Sequence, residues 1–211
     1  MIITEIKAQK GHLLCVNFDN GKSVLLDKDF AAEKGIREGV ELTFEQLKIL
    51  TEQSDYRRAV SRAVWYIERG SLSGKKLLEK LLKAGIPRDI CRKAVLRMEE
   101  LDLINDTAFA ERLAEQYLQS GISVREAENK MILKGIERAT AKAALQMFEV
   151  DAPSQIKLVI NKKYRTKLEN SENIPKVFAA LTRKGFKYSD IKKVLSEYSE
   201  QLKGSEEDYG V

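Results

Sequence analysis

Apolar residues recur along most of this chain at the spacing of a helix face. Leu77, Leu78, Leu81 and Leu82 form one stripe, and Ile174, Val177, Phe178 and Leu181 another at i, i+3, i+4, i+7. Val124, Ala127 and Met131 form a thinner one, and Ser123 with Glu126 has the capping-box spacing that starts it. Each stripe runs into a glycine followed by a large apolar residue: "KAGI" at Lys83–Ile86, "LKGI" at Leu133–Ile136 and "RKGF" at Arg183–Phe186. Glycine enters the left-handed conformation without a steric penalty, and the next residue folds back onto the last helical turn. Gly85, Gly135 and Gly185, fifty residues apart, therefore read as three helix stops of one kind.

A further helix follows each stop. Ile90, Ala94, Val95, Met98 and Leu101 share a face in the first, and Ile191, Val194, Leu195 and Tyr198 in the third. Upstream of each stop lies another helical stretch, Ala59–Ile67, Phe109–Tyr117 and Ile156–Tyr164, the first two closed by Gly70 and Gly121. "LENSEN" (Leu168–Asn173) reads as a surface loop in the third. The chain is thus predicted to be all-α over three tandem three-helix repeats, at 55–104, 105–152 and 153–200, with an acidic tail at 201–211. Residues 1–54 differ. "IITEIKA" and "HLLCVNF" are β-prone, and Asn20-Gly21 before "KSVLL" predicts a hairpin with positive φ at both turn residues. Thr43 and Gln46 then open a lead-in helix.

Candidate chemistry is sparse. His12, the only histidine, stands on an expected strand, which argues against acid–base or metal constellations. Cys15 and Cys91 lack paired spacing and fit a reduced, cytoplasmic protein. "NGKS" (Asn20–Ser23) is no phosphate-binding loop, because Val16 stands where that motif needs glycine. Glu99–Glu100 and Glu206–Asp208 read as solvated charge. No catalytic site, metal site or cofactor is expected, and no apolar run approaches the ~18–20 residues of a membrane span or resembles a signal peptide.

Charge divides unevenly. Residues 1–54 carry a net −2, residues 55–104 +5, residues 105–152 −2 and residues 153–211 +4. Two basic clusters result: Lys76, Lys80 and Lys83, with Lys75, opposite the leucine stripe, and Lys162, Lys163, Arg165, Lys167, Arg183, Lys184, Lys187, Lys192 and Lys193. Such faces suit a phosphate backbone and equally suit plain solvation, so a DNA-binding module and a protein-binding scaffold both stay open. DNA binding of this kind is salt-sensitive and weakly sequence-specific. Trp65, Tyr66, Tyr117 and Tyr164 have the residue type to stack on bases, but their helical spacing favours core packing.

The same residues carry a resemblance. "NDTAFAERL" (Asn105–Leu113), "LKGI", "NKKY" (Asn161–Tyr164), "ALTRKGF" and the lead-in "GVELTFEQLKIL" (Gly39–Leu50) together resemble the bacterial RecX family, in order and spacing, from about Val40 to Tyr198. Lys76 and Lys130 depart from it, standing where the family pattern has acidic residues. The resemblance implies a curved, elongated body of tandem repeats and a monomer that regulates, usually by inhibition, the RecA recombinase on single-stranded DNA. It implies RecA and single- and double-stranded DNA as partners, and a limit on recombination, ATP hydrolysis and SOS co-protease activity. The alternative is a DNA-binding helical repeat protein that acts without RecA.

Overall fold

The N-terminal residues form an antiparallel meander in the order β1 (Ile3–Gln9), β2 (Leu13–Phe18) and β3 (Ser23–Asp27). A computed structural model describes the backbone of residues 1–207 and the side chains of residues 1–199; the acidic tail expected at 201–211 lies outside the described side chains. Val16 pairs with Ile6 and Val24, and Val16, Phe18 and Leu26 are buried on one face with Ile3. The expected hairpin is present, but its turn is not the expected one. Gly21 alone has positive φ, +78°, while Asn20 instead turns its side-chain carbonyl to accept from the Lys22 N–H at 3.1 Å. His12 is likewise not on a strand: it sits in the β1–β2 turn at φ +64°, next to Gly11 at +79°. The start of β1 is met by the segment before the next long helix, with Ile3 N–H donating to Val40 O and Leu42 N–H to Met1 O.

After the short helix α1 (Lys28–Glu33), α2 runs unbroken over Phe44–Ile67, started by a capping box in which Thr43 and Gln46 satisfy each other's backbone N–H groups. The two helices expected here, a lead-in and Ala59–Ile67, are therefore one element. Leu47 near its start packs on the sheet; Ala59 and Ala63 near its end pack on α3 (Gly74–Lys83) and α4 (Arg88–Glu100). Ser54 between them is fully buried, and its hydroxyl accepts the Asp27 N–H at 2.7 Å. Leu77 and Leu81 of α3 meet Ile90, Cys91, Ala94 and Met98 of α4, while Leu101, expected on that face, is exposed. These elements make one compact unit, Met1–Asn105.

The second unit, from Asp106 on, holds two further helical clusters. α5 (Asp106–Gln119), α6 (Val124–Leu133) and α7 (Arg138–Gln146) bury Phe109, Leu113, Ala127, Met131, Ile136 and Leu145. Val124, expected in the α6 stripe, is exposed. α8 (Ala152–Lys163), the one-turn α9 (Arg165–Leu168), α10 (Ile174–Arg183) and α11 (Tyr188–Glu207) bury Ile156, Ile160, Leu168, Val177, Leu181, Phe186 and Ile191. "LENSEN" is thus only partly loop: Leu168 is a buried anchor, and Ser171–Asn173 form a 3-10 turn. Buried positions recur at the fifty-residue interval: Leu77, Ala127, Val177; Leu81, Met131, Leu181; Ile86, Ile136, Phe186; Cys91, Ala141, Ile191. The three glycines have φ of +78°, +90° and +88°. After the last two, Ile136 N–H donates to Met131 O and Phe186 N–H to Leu181 O, the bond that closes a glycine-capped helix. No described helix is long and apolar enough to cross a membrane.

Candidate nucleic-acid interface

In the second unit one group of basic residues meets around Gly185. The α10 stripe ends in Arg183 and Lys184, and the glycine lets the chain turn tightly beneath the start of α6. There the Ser123 hydroxyl accepts the Glu126 N–H as N-cap and donates to the Lys184 carbonyl. A Cβ on Gly185 would stand 3.0 Å from Arg125 Cβ, so the two segments touch backbone to side chain. Arg125 is thereby brought beside Arg183 and Lys184 on a shallow groove of about 350 Å³ that Glu126 and Asn129 also line. A larger groove of about 750 Å³ continues past it, lined by Arg125, Lys187, Phe186, Gln155 and the acids Glu128, Asp151 and Asp190. The Gln155 side-chain oxygen there is buried without a hydrogen-bond partner, while its amide donates to Leu118 O. Sequence reading missed Arg125. The signal was its place in the first turn of α6, where the helix dipole disfavours a cation.

The remaining cations of the cluster stand nearby in sequence but outside these grooves. Lys162 and Lys163 occupy the last turn of α8, where the dipole favours them, and Arg165 and Lys167 lie on α9. Lys192 and Lys193 are exposed on α11; the hydrogen bonds from Ser154 hold the Asp151 carboxyl below its ordinary value, with Lys157 and Lys193 adding to them. Among the described residues Lys162, Lys163, Arg165, Lys167, Arg183, Lys187, Lys192 and Lys193 make no ion pair; Lys184 reaches Glu126 at 3.8 Å. An unpaired cation can meet a phosphate without first giving up a partner.

The first-unit cluster is more engaged. Lys76 is half-buried and bonds Glu79 at 2.7 Å, which holds that carboxyl below its ordinary value. Lys80 lies 4.8 Å over the Tyr66 ring, and Lys83 makes no ion pair among the described residues. Of the four aromatics expected in the core, Tyr66, Tyr117 and Tyr164 pack against the three helical clusters. Trp65 does not: it is 47% exposed, because Tyr66 beside it takes the inward-facing position. Cys91 is buried, donates to Ile86 O at 3.4 Å and has its thiol pushed up by burial, so it packs rather than reacts.

The comparisons with known proteins agree on one family. Over 206 residues, 92% of this chain and 93% of the relative, the sequence is 25% identical to regulatory protein RecX of Clostridium tetani. It is 27% identical over 198 residues to that of Caldanaerobacter subterraneus, covering 93% and 99%, and 26% identical over 202 residues to that of Clostridioides difficile, covering 93% and 95%. All three are RecX proteins, matched over nearly the whole of this chain. No family model matches it. The fold is shared with a crystal structure of regulatory protein RecX, at TM-score 0.61 and 21% identity over 92% of this chain and 98% of that one. RecX from Lactobacillus salivarius superposes equally, at TM-score 0.61 and 21% identity, over 69% of this chain and 97% of that one.

Proposed function

We propose that this chain is a non-enzymatic regulator of the RecA recombinase. It binds the RecA filament on single-stranded DNA and thereby limits recombination, ATP hydrolysis and SOS co-protease activity. The observation that carries this reading is near full-length similarity to several proteins named regulatory protein RecX, on a chain with two basic clusters. In this reading the chain is a cytoplasmic monomer built from three tandem three-helix repeats, about 55–104, 105–152 and 153–200. DNA or the filament meets Lys83 and Lys80 in the first repeat. In the third it meets Lys162, Lys163, Arg165, Lys167, Arg183, Lys187, Lys192 and Lys193. Lys76 and Lys184, already ion-paired, contribute less. Regulation of this type needs no active site, since occupying a surface is enough.

The deciding measurement is RecA ATP hydrolysis on single-stranded DNA, with the purified protein added well below the RecA concentration. A fall in rate at such ratios is expected, because simple competition for DNA requires far more protein. An unchanged rate, together with salt-dependent binding to bare DNA, would favour the DNA-binding module that acts without RecA.

A further inference from the structure

Four residues of α2, Arg58, Arg62, Trp65 and Arg69, fall at i, i+4, i+7 and i+11 and so share one face of the helix. Three of these are committed locally or to one another. Arg58 bonds Asp55 at 2.7 Å, and the Arg69 guanidinium lies 3.5 Å over the Trp65 ring while donating to the Trp65 carbonyl. Arg62 is exposed and makes no ion pair among the described residues. Tyr66, anchored in the core cluster, meets Trp65 edge-on at 5.1 Å between ring centroids, and Lys80 sits over Tyr66. The indole is therefore held in a fixed position yet left half in water. Beside it opens a concavity of about 490 Å³, lined by Trp65, Arg62, Ser61, Arg57 and His12, with Ile86 its one large aliphatic residue. Its acids are occupied: Asp29 bonds His12 at 3.0 Å, and Asp27 accepts the Phe30 N–H.

We infer that this face of α2 is a stacking site for an unpaired base of single-stranded DNA, with Trp65 and the Arg69 plane as the platform and Arg62 on the adjoining phosphate. The inference rests on the proposed DNA-binding function and assigns it a site outside the lysine clusters. Stacking on an aromatic ring or a guanidinium plane is sequence-tolerant, since every base has a π-face, and an exposed cation beside the ring supplies the phosphate contact. Trp and Arg also anchor protein interfaces, but those anchors fill desolvated apolar pockets, and this concavity is walled mainly by polar and charged groups.

Trp65 is the only tryptophan, so its fluorescence reports this site alone. The full-length protein is titrated with fluorescently labelled oligothymidine at low salt, following label anisotropy for total binding and indole fluorescence for the site. Quenching that saturates together with anisotropy is expected. Trp65→Ala and Arg62→Ala should each weaken binding at least about fivefold, and Trp65→Phe should restore most of the loss. Arg62→Ala and the wild-type quenching decide the matter if Trp65→Ala fails to fold. DNA binding by anisotropy, with indole fluorescence and Arg62→Ala affinity unchanged, overturns the inference and leaves the proposed function standing. Indole fluorescence that responds to RecA alone and never to DNA overturns it in favour of a protein contact. Absence of any DNA binding overturns this site and the DNA-binding part of the proposed function together.

Discussion

Gly85 and Gly185 occupy the same place in their helices but are needed for different reasons. Both have left-handed backbones, φ +78° and +88°, where an L side chain costs about 1–2 kcal/mol. A Cβ on Gly85 meets open space, whereas one on Gly185 meets Arg125 Cβ at 3.0 Å and Ser123 Oγ at 3.1 Å. Gly85→Ala should therefore cost about 1 kcal/mol, and Gly185→Ala more than that, about 2–3 kcal/mol, since the α6–α10 contact must also open. Urea denaturation of each variant against wild type measures both; equal losses would mean that the contact at Gly185 yields freely. The first reason was legible in the sequence, because a glycine before a large apolar residue at the end of a stripe is a local signal. The second was not, since it depends on Ser123 and Arg125, some sixty residues away. Trp65 shows the same limit. Helical spacing cannot decide which of two adjacent aromatics turns inward, and here Tyr66 does.

At the scale of elements, α2 shows how one helix serves two cores. Its opening was legible from Thr43 and Gln46 and its later half from Ala59–Ile67, yet the unbroken course between them was not. The stripe changes partner midway, from the sheet at Leu47 to α3 and α4 at Ala59 and Ala63, and this blurs a single helical period. Ser54 sits at the change. Its buried hydroxyl is the partner of the Asp27 N–H where β3 passes into α1. Ser54→Ala leaves that part-buried N–H without its partner, at a cost of roughly 1 kcal/mol. Thermal unfolding followed by circular dichroism should show the loss. Hydrogen exchange should show increased opening at β3 and α1 as well as in α2; a change confined to α2 would mean that the sheet and the helix are not coupled through this bond.

Across the whole molecule the dominant feature is charge that alternates along the chain, −2, +5, −2 and +4, rather than one uniformly basic surface. This much was legible from composition, but which cations are free was not, because Lys76 and Lys184 are paired only once the chain is folded. The distinction has a measurable consequence. For single-stranded DNA the slope of log Kobs against log salt is about −0.7 per phosphate neutralised. Reversing Lys162, Lys163 and Lys167 to glutamate should flatten that slope by roughly 2, if each meets a phosphate. The same reversal at Lys28, Lys34 and Lys48 changes net charge equally but removes no proposed contact. All three are exposed on the N-terminal part of the first unit, and Lys34 lies over the Phe30 ring. Their slope should stay close to wild type, with only a modest loss of affinity from the altered overall field. Counterion release counts contacts, whereas the field counts net charge, so the two triple variants separate a binding surface from a solvated one. An unchanged slope on reversing Lys162, Lys163 and Lys167 would reduce them to a solvated face and shift the DNA contact to Arg62 and Lys83 on the first unit.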